Sequence, residues 1–173
     1  MIDGSNIIIR KATNDDISLI NAMAKKIWPV TYRAILSPEQ LAYMLGLLYS
    51  PNALQKQFDS GHNFLIAEED DQPIAFADYS LLKDSIYKLH KIYVLPNQQG
   101  KGIGKLLIEH VIQKIEEQKA TALLLNVNRF NKAKGMYERM GFTVIGEEDI
   151  DIGKGYFMND YVMEKKLDER EFL

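Results

Sequence analysis

No cysteine occurs in the 173 residues, which excludes a disulfide scaffold, thiolate metal sites, iron–sulfur clusters and a cysteine nucleophile. Histidine is nearly as scarce: His62, His90 and His110 are the three in the chain, and none stands at a metal-binding helical spacing from another. The sequence therefore predicts no metal centre. Charge of neither sign dominates. With 21 Lys plus Arg against 24 Asp plus Glu, the net charge is −3, which gives no electrostatic case for a nucleic-acid partner. Long apolar runs are missing too: the most apolar stretch, residues 41–49, is far below the roughly 20 residues that cross a bilayer. The start, Met1-Ile2-Asp3-Gly4, lacks the basic segment and apolar run of a secretory leader, so the expected location is cytoplasmic with no membrane partner.

What is present is ordinary globular usage, 46% hydrophobic and 26% charged, in a chain long enough to bury about 70% of its unfolded surface without staples. No repeat, low-complexity tract or Pro/Gly/Ser linker divides it, which predicts a single domain over residues 1–173. A β-branched run, Ile7-Ile8-Ile9, precedes Thr13-Asn14-Asp15-Asp16, a helix start in which the Thr13 hydroxyl can cap free N–H groups. Ile17, Ile20, Met23, Ala24 and Ile27 then recur at helical steps until Trp28-Pro29 interrupts them. Ser37-Pro38 opens a second helix with the stripe Leu41, Met44, Leu45 and Leu48, and Ser50-Pro51 repeats the start signal. Residues 64–67 and 74–77 read as antiparallel strands joined by a charged turn, and residues 87–94 as a longer strand that Pro96 ends. Ile103, Leu106, Leu107, Val111 and Ile115 mark an amphipathic helix, residues 123–127 a buried strand, residues 132–140 a short helix, and residues 142–145 and 161–163 two closing strands. The predicted order is β-α-α-β-β-β-α-β-α-β-β, an α/β (α+β) mixed sheet flanked by helices.

Chemistry concentrates between the strand ending at Val94 and the helix after it. There Gln98-Gln99-Gly100-Lys101-Gly102-Ile103-Gly104-Lys105 strips alternate side chains from a loop that opens a helix, so bare N–H groups and the positive helix end converge on a surface suited to phosphate. Spacing separates the possible loops. A Walker A loop with its lysine at Lys105 needs Gly and Ser/Thr where Gln99 and Leu106 stand, and a dinucleotide fingerprint starting at Gly100 needs Gly where Lys105 stands.

The pattern that fits is Gln-x-x-Gly-x-Gly over Gln99 to Gly104, which resembles the acetyl-CoA signature of the GCN5-related N-acetyltransferase family. The resemblance extends to Leu89-His90-Lys91-Ile92-Tyr93-Val94-Leu95-Pro96, similar to that family's fourth strand. It also covers Asn126-Val127-Asn128 with Asn131, Ala133, Tyr137 and Gly141-Phe142, similar to its second cofactor motif. It implies a mostly antiparallel sheet of about seven strands with a splay between the fourth and fifth, where Ile92, Tyr93 and Val94 meet the pantetheine arm. The Ile92 N–H would face the developing oxyanion. Gln99, Gly100, Lys101, Gly102, Ile103, Gly104 and Lys105 would hold the pyrophosphate, Asn131 would touch the cofactor, and Lys132 or Lys134 its ribose phosphate. Tyr137 would be the general acid for the departing thiolate; read without the motif, it is a core tyrosine on a short helix.

An acceptor amine, with a pKa near 10.4, must lose a proton before attack. His90 on the Ile92 strand, Asp78 on the preceding strand and a water relay are three alternatives for the base. The resemblance places the acceptor among the first helices and the last hairpin, where Trp28 and Tyr32 form a pocket wall or, as the alternative for Trp28, that residue is core. The acidic run at residues 147–151 either draws cations or is a solvated loop. Residues 28–33 and 157–165 resemble bacterial spermidine/spermine N-acetyltransferases. The implied activity is acetyl transfer from acetyl-CoA, without metal, to a small-molecule amine such as a polyamine. A protein or peptide amine, or a non-catalytic acetyl-CoA sensor, is the alternative. A homodimer is a further implied partner.

Overall fold

A computed structural model describes residues 6–167. Its spine is a seven-stranded sheet in the order β1-β2-β3-β4-β5-β7-β6, built from β1 (Ile7–Lys11), β2 (Asn63–Glu69), β3 (Gln72–Lys83), β4 (Ile86–Val94), β5 (Ala122–Asn128), β6 (Thr143–Gly153) and β7 (Tyr156–Lys166). Every neighbouring pair is antiparallel except β4 and β5. The connection between those two runs through α4 (Ile103–Glu116), the crossover that a parallel pair requires.

Helices α1 (Ile17–Tyr32), α2 (Pro38–Tyr49) and α3 (Pro51–Asp59) precede β2, and α5 (Lys134–Arg139) follows β5. The serine starts act as read: Ser37 Oγ accepts from the Gln40 N–H at 3.1 Å and Ser50 Oγ from the Ala53 N–H at 3.2 Å, each with proline in the first turn. Thr13 and Asp16 form a reciprocal capping box. Arg10 grips Asp16 with two hydrogen bonds, which hold its carboxyl below the usual range.

Three expectations change. The Ser50-Pro51 signal opens a full helix, so the order contains three helices before β2 rather than two. Pro29 does not end α1, which continues to Tyr32. A proline removes one helical hydrogen bond, and the buried Trp28 and Tyr32 anchor the turn around it. The closing strands are far longer than their apolar cores, at 11 residues each, because β6 and β7 pair from Thr143 with Glu164 to Gly153 with Tyr156, with one face in solvent. The acidic run is thereby strand rather than loop.

Two apolar clusters sandwich the sheet. Leu107, Ile108, Val111 and Ile115 of α4 pack with Leu89, Leu123, Leu125 and Met163 on one face. Ile20, Ile27 and Trp28 of α1 with Met44, Tyr49 and Leu54 pack on Phe64, Ile66 and Phe76 on the other.

Candidate active site

Strand β4 changes face in its middle. Asp78 pairs with Lys91 and Tyr79 with Leu89, so His90 is an extra residue with no partner across the ladder, a β-bulge. Consequently Leu89 packs against the α4 face, whereas Lys91, two residues on, points between the Tyr49 and Phe64 rings on the other face. The parallel pairing of β4 with β5 extends from Ile86 with Ala122 to Leu89 with Leu125 and stops there, at the bulge. Beyond it the strands part.

The backbone left open by this splay follows from strand alternation. Leu95 N–H donates to Ile74 O at 2.9 Å on the β3 side, so the N–H and C=O groups of Tyr93 also face β3. Those of Ile92 and Val94 then face the gap. Gln99 Nε2 reaches back to Val94 O at 3.1 Å and ties the glycine loop to this strand edge. Gly100 and Gly102 have φ of +81° and +82°, in the left-handed region that disfavours other residues. Gly102 is the N-cap of α4 without a side-chain cap, so the first N–H groups of the helix are unmasked on the cleft.

Splay, loop and helix end open into one cleft of about 1090 Å³. Ile92, Tyr93, Val94, Gln99, Gly100, Gly102, Ile103, Gly104 and Lys105 line it, with Asn131, Lys132 and Tyr137 from the opposite wall. Lys101 is not in the lining; its Nζ donates to Gln98 Oε1 at 2.9 Å. Lys134 is turned away over the Tyr161 ring. Asn131 Oδ1 accepts from Ala133 N–H at 2.9 Å and shapes the entry to α5. The buried Tyr137 ring stands edge-on to Phe142, 6.0 Å between centroids. Burial pushes its phenol above the ordinary value of 10.0.

The far end of the cleft lies over the aromatic cluster. Trp28 packs tilted against Tyr32, 4.6 Å between centroids, and contacts Tyr49 and Tyr93, and the Tyr32 and Tyr93 hydroxyls share a 2.9 Å hydrogen bond. Trp28 and Tyr32 are buried core side chains and line the cleft at once.

His90 also lines the cleft. Its Nε2 shares a 2.7 Å hydrogen bond with Ser80 Oγ, and its ring stacks on His62 at 4.3 Å. Burial pushes its pKa down to about 4. Asp78 is outside the lining and fully buried; its Oδ2 accepts from His62 Nδ1 at 2.6 Å and Lys91 Nζ at 3.3 Å. It reaches the cleft through Lys91 and, by way of His62, through His90.

Comparison with known proteins fits this geometry. Residues 33–164 match the Acetyltransferase (GNAT) domain. The chain belongs to the GNAT acetyltransferase family. A GNAT relative, the spermidine N(1)-acetyltransferase of Thermoplasma acidophilum, is 27% identical over 169 residues, covering 94% of this chain and 99% of that protein. The PaiA N-acetyltransferase of Thermoplasma acidophilum, solved in complex with coenzyme A, superposes with a TM-score of 0.79 at 28% identity over 93% of this chain and 99% of its own. A [ribosomal protein bS18]-alanine N-acetyltransferase of Haemophilus influenzae is 36% identical over 89 residues, 51% of this chain and 57% of that protein. Across that relative and two peptidyl-lysine N-acetyltransferases, the chain spans little more than half of their length. In this GNAT chain, sequence reasoning passed over the cleft residue Phe130, and quoted Lys91, Asn126, Phe157 and Asp160 within longer motifs without giving them a role of their own. For Asp160 a signal existed, since Met158, Asp160 and Val162 occupy alternate positions of one strand, which sets a charge in an otherwise apolar row.

Proposed function

We propose that the protein transfers acetyl from acetyl-CoA to a primary amine of a small molecule, a polyamine being the acceptor class, by direct attack with both substrates bound. The observation that carries this reading is the continuity of the cleft: a phosphate-type loop at one end, an aromatic and acidic pocket at the other, and Tyr137 between them. The cradle fits acetyl-CoA on its own features. Open α4 N–H groups and Lys105 meet a pyrophosphate, and the edge of Ile92 and Val94, which β5 leaves without a partner strand, meets an amide-bearing arm in strand fashion. Bound there, acetyl-CoA supplies an activated acetyl thioester.

The remaining chemistry belongs to this chain. The Ile92 N–H faces the gap and stabilises negative charge on the carbonyl oxygen under attack. Tyr137, held protonated by burial, donates to the sulfur as it leaves. His90 is neutral across the physiological range, so its ring can relay the amine's proton but not retain it, and the proton passes on to solvent. The absence of cysteine removes the most reactive side-chain nucleophile, which favours direct transfer over an acetyl-enzyme. The polyamine choice is supported by the relative named a spermidine N(1)-acetyltransferase, which matches over nearly its full length. Peptide amines are the second reading, supported by the shorter matches to protein-modifying relatives.

The test is initial-rate kinetics with acetyl-CoA against spermidine, spermine, amino acids, aminoglycosides and N-terminal peptides. The expected result is turnover of polyamines with intersecting double-reciprocal lines. Turnover of peptides alone overturns the acceptor class, and parallel lines overturn direct transfer.

A further inference from the structure

Three charged side chains are buried among the described residues: Asp78, Lys91 and Asp160. Two of them neutralise each other, because Asp78 Oδ2 lies 3.3 Å from Lys91 Nζ and also receives His62. Asp160 has no such compensation. It is 5% exposed and lines the cleft, yet among the described residues no Lys, Arg or His comes within ion-pair distance of its carboxylate. Its side-chain hydrogen bond is from a neutral amide, Asn126 Nδ2 at 3.3 Å. That amide sits at the splay on β5 and is shared with Glu148 Oε1 at 3.2 Å.

The cation nearest in sequence is otherwise engaged. Arg129 directs its guanidinium to Glu147 at 3.4 Å and Asp149 at 2.6 Å, and touches Asp160 only through the backbone oxygen at 3.2 Å. Lys88 of β4 and Arg129 favour the charged form of Asp160 from beyond contact distance, while burial and Glu148 of β6 disfavour it. A carboxylate set in a cleft wall with an amide as its hydrogen-bond donor and no cation in contact is complemented by a cation arriving with the ligand. Asp78 shows the alternative within the same molecule, where the chain supplies its own cation. The exposed Glu148 of β6, which shares the Asn126 amide with Asp160, adds negative charge at this point, which favours the approach of positive charge.

We propose that Asp160 is a specificity-determining residue of the acceptor site, pairing with an ammonium group of a di- or polyamine other than the one that is acetylated. This rests on the acetyl-transfer reading above and adds the group that selects a cationic acceptor.

The test compares wild-type protein with Asp160→Asn, which keeps size and polarity, and Asp160→Glu, which keeps charge. Each is assayed with saturating acetyl-CoA against spermidine and against n-butylamine, a monoamine with an uncharged tail. The expected result is a KM for spermidine raised roughly thirtyfold or more in Asp160→Asn, as for loss of one partner of a buried charge pair. Its kcat should hold within about threefold, the KM for n-butylamine should change less than about twofold, and Asp160→Glu should recover part of the affinity. Unchanged coenzyme A affinity and melting temperature establish that the variants are folded. An unaltered spermidine KM overturns the proposal while leaving acetyl transfer intact. An equal loss of kcat on both amines also overturns it, marking Asp160 as a base instead. A wild-type protein that binds and acetylates no polyamine overturns both the acceptor class and this role, a failure visible before any substitution is made.

Discussion

Tyr137 and His90 are shifted in opposite directions by the same cause, removal from water, and each shift favours its neutral form. For Tyr137 the neutral form is the proton donor. Tyr137→Phe keeps the ring and its contact with Phe142 but removes that proton, so turnover should fall about 100-fold or more. Coenzyme A affinity, read by calorimetry, should hold within about twofold. For His90 the consequence is a pH window. Its native pKa of about 4 lies below the ordinary 6.5, so between those values the unfolded chain takes up a proton that the native state refuses. Stability is therefore full above pH 6.5 and is lost as pH falls toward 4. In His90→Gln this part of the loss should vanish, giving a flatter profile of melting temperature against pH over that range. Asp160 also illustrates what one residue can conceal. In sequence it is one acid among 24 acidic residues; its significance comes from Asn126 and the cleft, which only folding brings to it.

At the scale of elements, legibility depended on where the determining physics was local. The caps of α2 and α3 were readable because Ser-Pro is a signal contained in a few residues. Ser37→Ala should lower stability by about 1 kcal/mol in denaturant unfolding, the usual cost of a lost cap. The β6–β7 hairpin was not readable in full. Its pairing beyond the apolar core depends on a partner strand and a solvent-facing side that tolerates acids, a tertiary outcome. Continuation of α1 past Pro29 is likewise set by the buried Trp28 and Tyr32 on either side of it. The bulge at His90 has no compositional mark, although the strand it interrupts was identified. The glycine loop allows a sharper test. A Cβ on Gly104 would meet Met136 Sδ at 3.6 Å, an ordinary contact, so Gly104→Ala should leave the melting temperature unchanged or raise it. Its coenzyme A affinity should drop several-fold if the loop closes on a pyrophosphate. Gly102→Ala should instead lower both, because φ of +82° strains any L side chain.

For the whole molecule, one continuous sheet separates two apolar layers, and the break between β4 and β5 joins them through a cleft. The glycine-loop half of that cleft was legible because glycines and open backbone N–H groups form it, so residue identity and spacing carry the message. The half proposed for the acceptor was legible only in outline, since Trp28, Tyr32, Asn126 and Asp160 come from α1, β5 and β7 and share no local pattern. The chain also has, among the described residues, no helix long and apolar enough to cross a membrane. The most direct measurement of the central claim is release of free thiol from acetyl-CoA on addition of spermidine, with wild type beside Tyr137→Phe. The account predicts steady release matched by acetylated amine in the wild type and a rate about 100-fold lower in the variant. Coenzyme A binding without thiol release on any amine, or equal rates in the two proteins, would contradict it.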